Sequence, residues 1–279
     1  MEDEESKSSQ VKDVAEAVAA VAKAVPIYED AIQPGAKQIG KSLELVGKTV
    51  NVALAPLRAI VWGYEQFEVF LNKDVAEKLK NTPEESIITP KINVAGPLLE
   101  ALRYSAEEQG LREMFANLLA NAMDKNTSST AHPSFVEILK QLTPDEAKLM
   151  KYFAKKGIIP KLNFYSRSGT TKENFLSHRN FTLAGYEADC SFPHLINTYL
   201  DNLSRLGLLE IFDDIRVRIY DDYIPLLESK QWTDWEKQAE NAKRIVEPRR
   251  GSIRTSEFGE LFCKACVIDK ASQSPSTVP

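Results

Sequence analysis

The chain has 279 residues, of which 43% are hydrophobic and 27% are charged, and its formal net charge is −5. This composition is typical of a soluble globular protein and excludes a chain that is disordered throughout. Three cysteines and 12 glycines are too few for a disulfide-stapled or a collagen-like framework, and the acidic balance argues against a protein that coats nucleic acid.

The N-terminal part of the chain predicts an acidic tail over residues 1–10 and amphipathic helices over residues 11–82. Apolar residues recur at steps of three and four along these helices, which we expect to form a bundle. Glycine destabilises a helix interior, so its presence there needs a structural reason. The simplest reason for a strip of small residues is the close approach of a neighbouring helix. That strip consists of Ala36, Gly40 and Gly47.

Targeting and membrane signals point to the cytoplasm. A secretory signal begins with a positive segment, whereas this chain begins with acidic residues. An odd number of cysteines suggests a reducing compartment. The most apolar stretch, residues 49–64, contains Pro56 and Arg58, so it does not predict a spanning helix. Peripheral contact with the inner face of the membrane stays open as an alternative.

Residues 83–142 predict a middle helical domain. A helix is predicted to begin at Pro97, and a continuous apolar stripe over residues 111–123 predicts a buried helix after it. Phe115 and Leu118 continue this stripe, so we expect both in the core.

Residues 143–270 predict a winged-helix-like module, and residues 271–279 form a low-complexity tail. Thr143 and Glu146 make a capping-box pattern around Pro144, which predicts a helix start. A polar irregular segment, a helix, a hairpin, another helix, an extended piece and a last helix follow, over residues 161–183, 191–207, 208–219, 225–246, 252–255 and 257–268. The predicted fold class is therefore mainly α, with an N-terminal helical bundle and a C-terminal winged-helix-like module that carries a small antiparallel sheet.

Several short motifs resemble a known family. They are Ala55-Pro56-Leu57, Pro97-Leu98-Leu99-Glu100, the segment from Leu111 to Ala120, His132-Pro133-Ser134-Phe135 and Thr143-Pro144-Asp145-Glu146. Together they look like the abortive infection alpha family of prokaryotic proteins, over about residues 30–265. The resemblance implies a role in phage resistance by abortive infection and supplies no catalytic motif.

Residues that could carry chemistry are few. Cys263 and Cys266 lie one helical turn apart, and Cys190 and His194 could complete a tetrahedral zinc site. Cysteine is more often a buried apolar residue, so we predict core packing and no metal. Asp213 and Asp214 read as exposed acids of a turn. There is no Gly-x-Ser-x-Gly elbow and no glycine-rich phosphate loop, so no catalytic residue, cofactor or small-molecule ligand is predicted.

Basic residues of the module are the candidates for contact with nucleic acid or with a partner. They are Lys172, Arg205, Arg216, Arg218, Arg249 and Arg250. The helix that would enter a DNA groove carries Asp201, which repels phosphate, so a module that faces protein is favoured over one that faces DNA.

The function predicted from the sequence is phage defence by binding rather than by catalysis, through a protein partner or self-association. Two alternatives stay open. One is a winged-helix DNA-binding regulator, and the other is a membrane-perturbing effector that uses the N-terminal helices.

Overall fold

The structure is a computed structural model that describes residues 37–54, 69–105, 108–168, 175–214 and 220–272. Residues 1–36, which include the acidic tail and the start of the predicted N-terminal helices, lie outside the described residues. So do the end of the C-terminal tail and the predicted site residues Ala36, Lys172, Arg216 and Arg218. The described chain is mostly helical and carries one four-stranded antiparallel sheet in its C-terminal half.

The first half of the described chain is helical. It contains α1 (Lys37–Ala53), a π-helical turn (Phe70–Val75) that continues into α2 (Ala76–Leu79), α3 (Ile92–Ser105), α4 (Gln109–Met123) and α5 (Ser134–Leu139). Phe115 and Leu118 on α4 are completely buried, which confirms their predicted place in the core. α3 begins five residues before Pro97, because Val94 and Ala95 are buried on its first turn.

Gly47 on α1 faces the π-helical turn. An added Cβ at Gly47 would lie 3.6 Å from Oδ1 of Asn72, which is an ordinary contact distance. The packing at this position would therefore accommodate alanine. Gly40 also lies on α1.

The second half mixes helices and strands. It contains α6 (Pro144–Lys156), β1 (Ile158–Ser168), β2 (Phe175–Phe181), α7 (Ala184–Glu187), a 3₁₀ turn (Pro193–Leu195), α8 (Ile196–Arg205), β3 (Leu209–Phe212), α9 (Ile224–Leu227), α10 (Lys230–Asn241), β4 (Arg244–Thr255), α11 (Glu257–Phe262) and a π-helical turn (Cys263–Val267). The capping box before α6 is present as predicted. Thr143 Oγ1 accepts the Glu146 backbone N–H at 3.2 Å, and Glu146 Oε2 accepts the Thr143 backbone N–H at 2.7 Å.

The sheet has four strands, and the second strand of the predicted hairpin, residues 215–219, lies outside the described residues. The strand order of the sheet is β2-β1-β4-β3, and all neighbours are antiparallel. Residues 161–183, predicted to be irregular, form most of β1 and β2. In β1 the polar residues Lys161, Asn163 and Ser166 are buried, whereas in β2 the first five residues are exposed whether apolar or polar, so the apolar alternation that signals a strand is missing. β3 pairs with the distant β4 from Leu209 to Phe212, so the structure does not confirm a winged helix.

Two apolar cores hold the described chain together. The main core extends from Val46 to Cys266 and gathers the helices around α4. A smaller core lies between one face of the sheet and α9 and α10, and its centre is Trp232, which is completely buried. The smaller core consists of Leu162, Phe164, Phe181, Tyr223, Leu226, Trp232 and Ala239.

Buried amides of α4 fasten the C-terminal π-helical turn to the main core. Asn117 Nδ2 donates to the Cys266 carbonyl at 3.0 Å, and Asn121 Nδ2 donates to the Ala265 carbonyl at 3.0 Å. A π-helical turn leaves carbonyls without their usual helical donors, and these amides supply them. Among the described residues no helix combines the length and apolar character needed to cross a membrane.

Candidate functional site

A completely buried lysine, Lys161, lies at the centre of the sheet on β1. Its ammonium donates to Oδ1 of Asn180 at 2.8 Å, to Oδ1 of Asn163 at 3.4 Å and to Oδ1 of Asp213 just beyond β3. An ammonium has three donors, so these contacts satisfy it completely. A charge without water needs such pairing to be tolerated.

The residues that accept hydrogen bonds from Lys161 also form hydrogen bonds with one another. Asn163 Nδ2 donates to Asp213 Oδ1 at 2.9 Å, and the Asn180 backbone N–H donates to Asn163 Oδ1 at 2.8 Å. The hydrogen bond from Lys161 lowers the pKa of the Asp213 carboxyl by more than burial raises it. Asp213 was predicted to be a plain turn acid; it remains largely exposed, but it also anchors the buried lysine.

A polar cleft of about 460 Å³ opens beside this cluster. Its lining residues are Asn163, Tyr165, Leu176, Arg179, Asn180, Asp201, Ser204, Arg205, Ile211 and Asp213. Arg179 pairs with Asp201 on α8 through both terminal guanidinium nitrogens, and Arg205 donates to Gln141 at 3.0 Å and to Asn202 at 2.6 Å. The charged groups of the polar cleft are therefore engaged with neighbouring protein groups.

An aromatic cleft of about 450 Å³ lies beyond Arg179, where β2 faces α8 and α10. The imidazole of His178 stacks on the indole of Trp235, with ring centroids 3.8 Å apart and planes inclined by 5°. Burial lowers the pKa of His178, which favours the neutral ring. The lining residues are Ser177, His178, Arg179, Phe181, Thr182, Tyr186, Pro193, His194, Ile196, Asn197, Gln231 and Trp235.

Three exposed apolar residues belong to the lining of the aromatic cleft or are next in sequence to it, and we call them the apolar patch. They are Tyr186, Phe192 and Leu195, with 59%, 56% and 40% of their surface exposed. α7, which carries Tyr186, and the 3₁₀ turn, which follows Phe192 and carries Leu195, approach closely at Gly185. A Cβ added there would lie 3.0 Å from the Pro193 carbonyl oxygen.

Asp145 on α6 positions the segment that carries the patch. Its carboxylate accepts the backbone N–H groups of Ser191 at 2.7 Å and Phe192 at 2.9 Å, and the Tyr199 hydroxyl at 3.0 Å. Burial raises the pKa of Asp145, but these hydrogen bonds together outweigh it and hold the pKa below its ordinary value. A buried acid thus fixes the backbone next to Phe192.

Of the predicted basic contact residues, the structure describes Arg205, Arg249 and Arg250. Arg249 lies over the Tyr165 ring at 4.2 Å, and the Arg250 guanidinium lies 5.9 Å from the Tyr223 ring. Arg249 and Arg250 are consecutive on β4, so they point to opposite faces of the sheet. Arg205 belongs to α8 and lines the polar cleft.

The cysteines are buried, and the predicted packing of Cys263 and Cys266 in the main core is present. Burial raises the pKa of Cys190 to about 11 and that of Cys263 to about 12, and it raises the pKa of Cys266 strongly as well. Among the described residues no three acidic, cysteine or histidine side chains come together as a metal site would require.

His132 lies just before the start of α5. Its Nδ1 accepts the backbone N–H of Ser134 at 3.2 Å and lies 2.7 Å from Ser134 Oγ. Within the described ranges no carboxylate bonds to this ring, so the orienting member of a catalytic triad is missing there.

Apart from Arg205, which was a predicted contact residue, sequence reasoning did not identify the lining of the two clefts as a site. Lys161, Asn163, Asn180 and His178 fall in the segment predicted to be irregular. A signal existed only for Trp235, because Trp232 and Trp235 are one helical turn apart and predict a buried aromatic face on α10.

Comparison with known proteins gives the context of this fold. The family model described as abortive infection alpha matches residues 63–266. The chain belongs to the abortive infection alpha family. A search of curated proteins finds no match for this family member.

A solved structure with some likeness to this abortive infection alpha protein is that of an uncharacterized protein from the hydrocarbon-degrading marine bacterium Alcanivorax borkumensis SK2. The two are 21% identical, and the match covers 50% of this chain and 92% of that one with a TM-score of 0.32. A TM-score this low supports no conclusion about fold or function.

Proposed function

We propose that this protein acts in abortive infection by binding a protein partner through the apolar patch. Membership of the family supports the defence role. The observation that carries the binding role is the exposure of Tyr186, Phe192 and Leu195 within one short segment, residues 186–195, whose backbone Asp145 holds at Ser191 and Phe192. Exposed apolar groups that cluster on a rigid, polar-rimmed surface are a mark of interaction sites.

The chemistry of the described residues favours binding over catalysis. A nucleophile must be reachable and activated. Lys161 is buried and has all three donors engaged, and the three thiols are buried with raised pKa values. The two clefts therefore offer recognition groups rather than reactive ones.

The charge arrangement gives less support to a DNA-binding role. Asp201, on the helix that would face the groove, is paired with Arg179, and Arg249 and Arg250 point to opposite faces of the sheet. A phosphate-contact surface needs cations on one face. We expect the protein to work in the cytoplasm, where phage replication takes place.

The experiment is a phage challenge of a sensitive bacterial host that expresses the full chain. Infection with fewer phages than cells should leave the culture growing, whereas infection with more phages than cells should collapse it while releasing few progeny. This pair of outcomes distinguishes abortive infection from a block that saves the infected cell. Cultures that survive the heavy infection would contradict an abortive mechanism.

The role of the patch is tested in the same assay with Phe192→Asp. The matched control is Ile92→Asp, because Ile92 on α3 is also exposed, at 63%, and lies outside the patch. We expect Phe192→Asp to restore progeny release and Ile92→Asp to protect like the unchanged protein. Equal protection by both variants, at equal protein levels, would overturn the assignment of the patch.

A further inference from the structure

The aromatic cleft has a floor suited to a planar ring. His178 and Trp235 stack face to face, and Trp235 is held in place by Phe181 at 5.2 Å and Phe164 at 5.8 Å, both edge-on. The rings are thus fixed before any ligand arrives, so a flat ligand would order little on binding. Among the described residues no aromatic ring covers the other face of His178.

Neutral hydrogen-bonding groups stand around this floor. Asn197, Gln231, Ser177 and Thr182 line the cleft. Asn197 Oδ1 is buried and has no hydrogen-bond partner among the described groups, which costs about 1–3 kcal/mol unless a donor reaches it after a small rotation of the amide. Side-chain amides offer a donor and an acceptor together, which matches the edge of a nitrogen heterocycle.

The charge of the cleft selects against cationic ligands. Arg179 is the charged residue of the lining, and no carboxylate belongs to the lining among the described residues. Arg179 already pairs with Asp201, but both side chains are about half exposed, and such a pair contributes little stability. An anionic group on a ligand could therefore share the guanidinium.

From these three observations we propose that the aromatic cleft binds a nucleotide. The base lies on the His178–Trp235 stack, its edge meets the amides of Asn197 and Gln231, and its phosphate points to Arg179. A volume of about 450 Å³ is within the range of small-molecule sites. The sequence predicted no small-molecule ligand, because the cleft forms only when β2 and α10 come together. The inference does not rest on the proposed protein partner, although Tyr186 belongs both to the apolar patch and to the lining of the cleft.

The test is calorimetric titration of the full chain with adenosine, guanosine, cytidine and uridine 5′-monophosphates, each used alone. We expect saturable binding of at least one. Ribose 5-phosphate, which lacks the base, should not bind, and the nucleoside of the bound nucleotide should bind more weakly than the nucleotide. Absence of saturable binding for all four nucleotides would overturn the inference, and so would equally tight binding of ribose 5-phosphate.

Variants locate the site. His178→Ala and Asn197→Ala should each weaken binding about tenfold, as expected when a stacking or edge contact is lost. His178→Phe keeps an aromatic ring and should retain most of the affinity, so it separates loss of the stack from loss of the fold. Arg179→Ala should weaken the nucleotide but not its nucleoside. Arg205→Ala in the polar cleft is the control and should leave affinity unchanged.

An unchanged affinity in both His178→Ala and Asn197→Ala would also overturn the inference. The phage challenge with Phe192→Asp reports on the protein-binding role separately, so failure of one proposal can be told from failure of the other.

Discussion

Gly251 on β4 lies directly opposite Lys161 on β1, and the lysine stem passes through the space that a side chain at residue 251 would fill. A Cβ at this position would lie 2.8 Å from Lys161 Cε and would overlap the carbonyl oxygen of Phe212. The glycine thus allows a buried ammonium to reach Asp213 beyond the third strand. The strand pairing and the polar cluster depend on each other.

Gly251→Ala should destabilise the fold, because β3 or the lysine must move to admit the methyl group. We expect a loss of about 1–3 kcal/mol in the free energy of unfolding, the usual cost of overpacking. Urea unfolding followed by circular dichroism measures it. Gly110→Ala is the control, since an added Cβ there meets nothing within 4 Å. Equal midpoints for the two variants would contradict the close approach.

The Lys161–Asp213 pair should respond unequally to loss of either partner. Asp213→Ala leaves a buried ammonium without its counter-charge and should cost about 3 kcal/mol, at the low end for breaking a buried pair because Asp213 is largely exposed. Lys161→Met leaves a carboxylate that water can solvate, so it should cost clearly less. Asp214→Ala next to it is the control. Urea midpoints in the reverse order would contradict the assignment of the buried charge to Lys161.

Asp145 should make the free energy of unfolding depend on pH in the acid range. Its pKa in the folded chain is below the ordinary 3.8, so its contribution is complete above that value and is lost as the pH falls through the folded pKa. Asp145→Asn presents a donor where the carboxylate accepted Phe192 and Tyr199, and we expect a loss of about 1–3 kcal/mol near neutral pH.

Unfolding by urea at about pH 7 and about pH 3 measures this dependence. The difference between the unchanged protein and Asp145→Asn should shrink at the lower pH. Asp189→Asn, an exposed acid of the same segment, is the control. A difference that stays constant across this range would show that the charge of Asp145 does not hold the segment.

All three cysteines should resist thiol reagents in the folded chain. The thiolate is the reactive form, and burial raises the pKa of each thiol. Reaction with a disulfide reagent near neutral pH should be slow until denaturant is added, after which three thiols react. Rapid reaction of any thiol before unfolding would contradict its burial.

The parts of the fold that sequence predicted well are governed by local contacts. The start of α6 depends on Thr143 and Glu146, which are three residues apart, and its capping box is present in full. The buried stripe of α4 follows from spacing within one helix, and Phe115 and Leu118 lie in the core accordingly.

The sheet was poorly predicted because its polar residues have distant partners. Lys161 and Asn163 look like surface residues until Asn180 and Asp213 come beside them. β4 contains Pro248, which argues against a central strand. β3 pairs with β4 only over residues 252–255, so Pro248 lies where that side of β4 has no described neighbouring strand.

The candidate site was missed for the same reason. The residues of the aromatic cleft come from β2, the α7 segment, α8 and α10, and no short motif links them. Among the predicted basic contacts that the structure describes, Arg249 and Arg250 point to opposite faces of the sheet, because neighbouring residues of a strand alternate between its faces.

The protein should protect by binding through the apolar patch and not by chemistry in the polar cleft. The deciding measurement is phage yield per infected cell for the unchanged protein, Phe192→Asp and Lys161→Met, at equal levels of folded protein. We expect low yields with the unchanged protein and with Lys161→Met, and a high yield with Phe192→Asp. A high yield with Lys161→Met together with a low yield with Phe192→Asp would contradict this expectation.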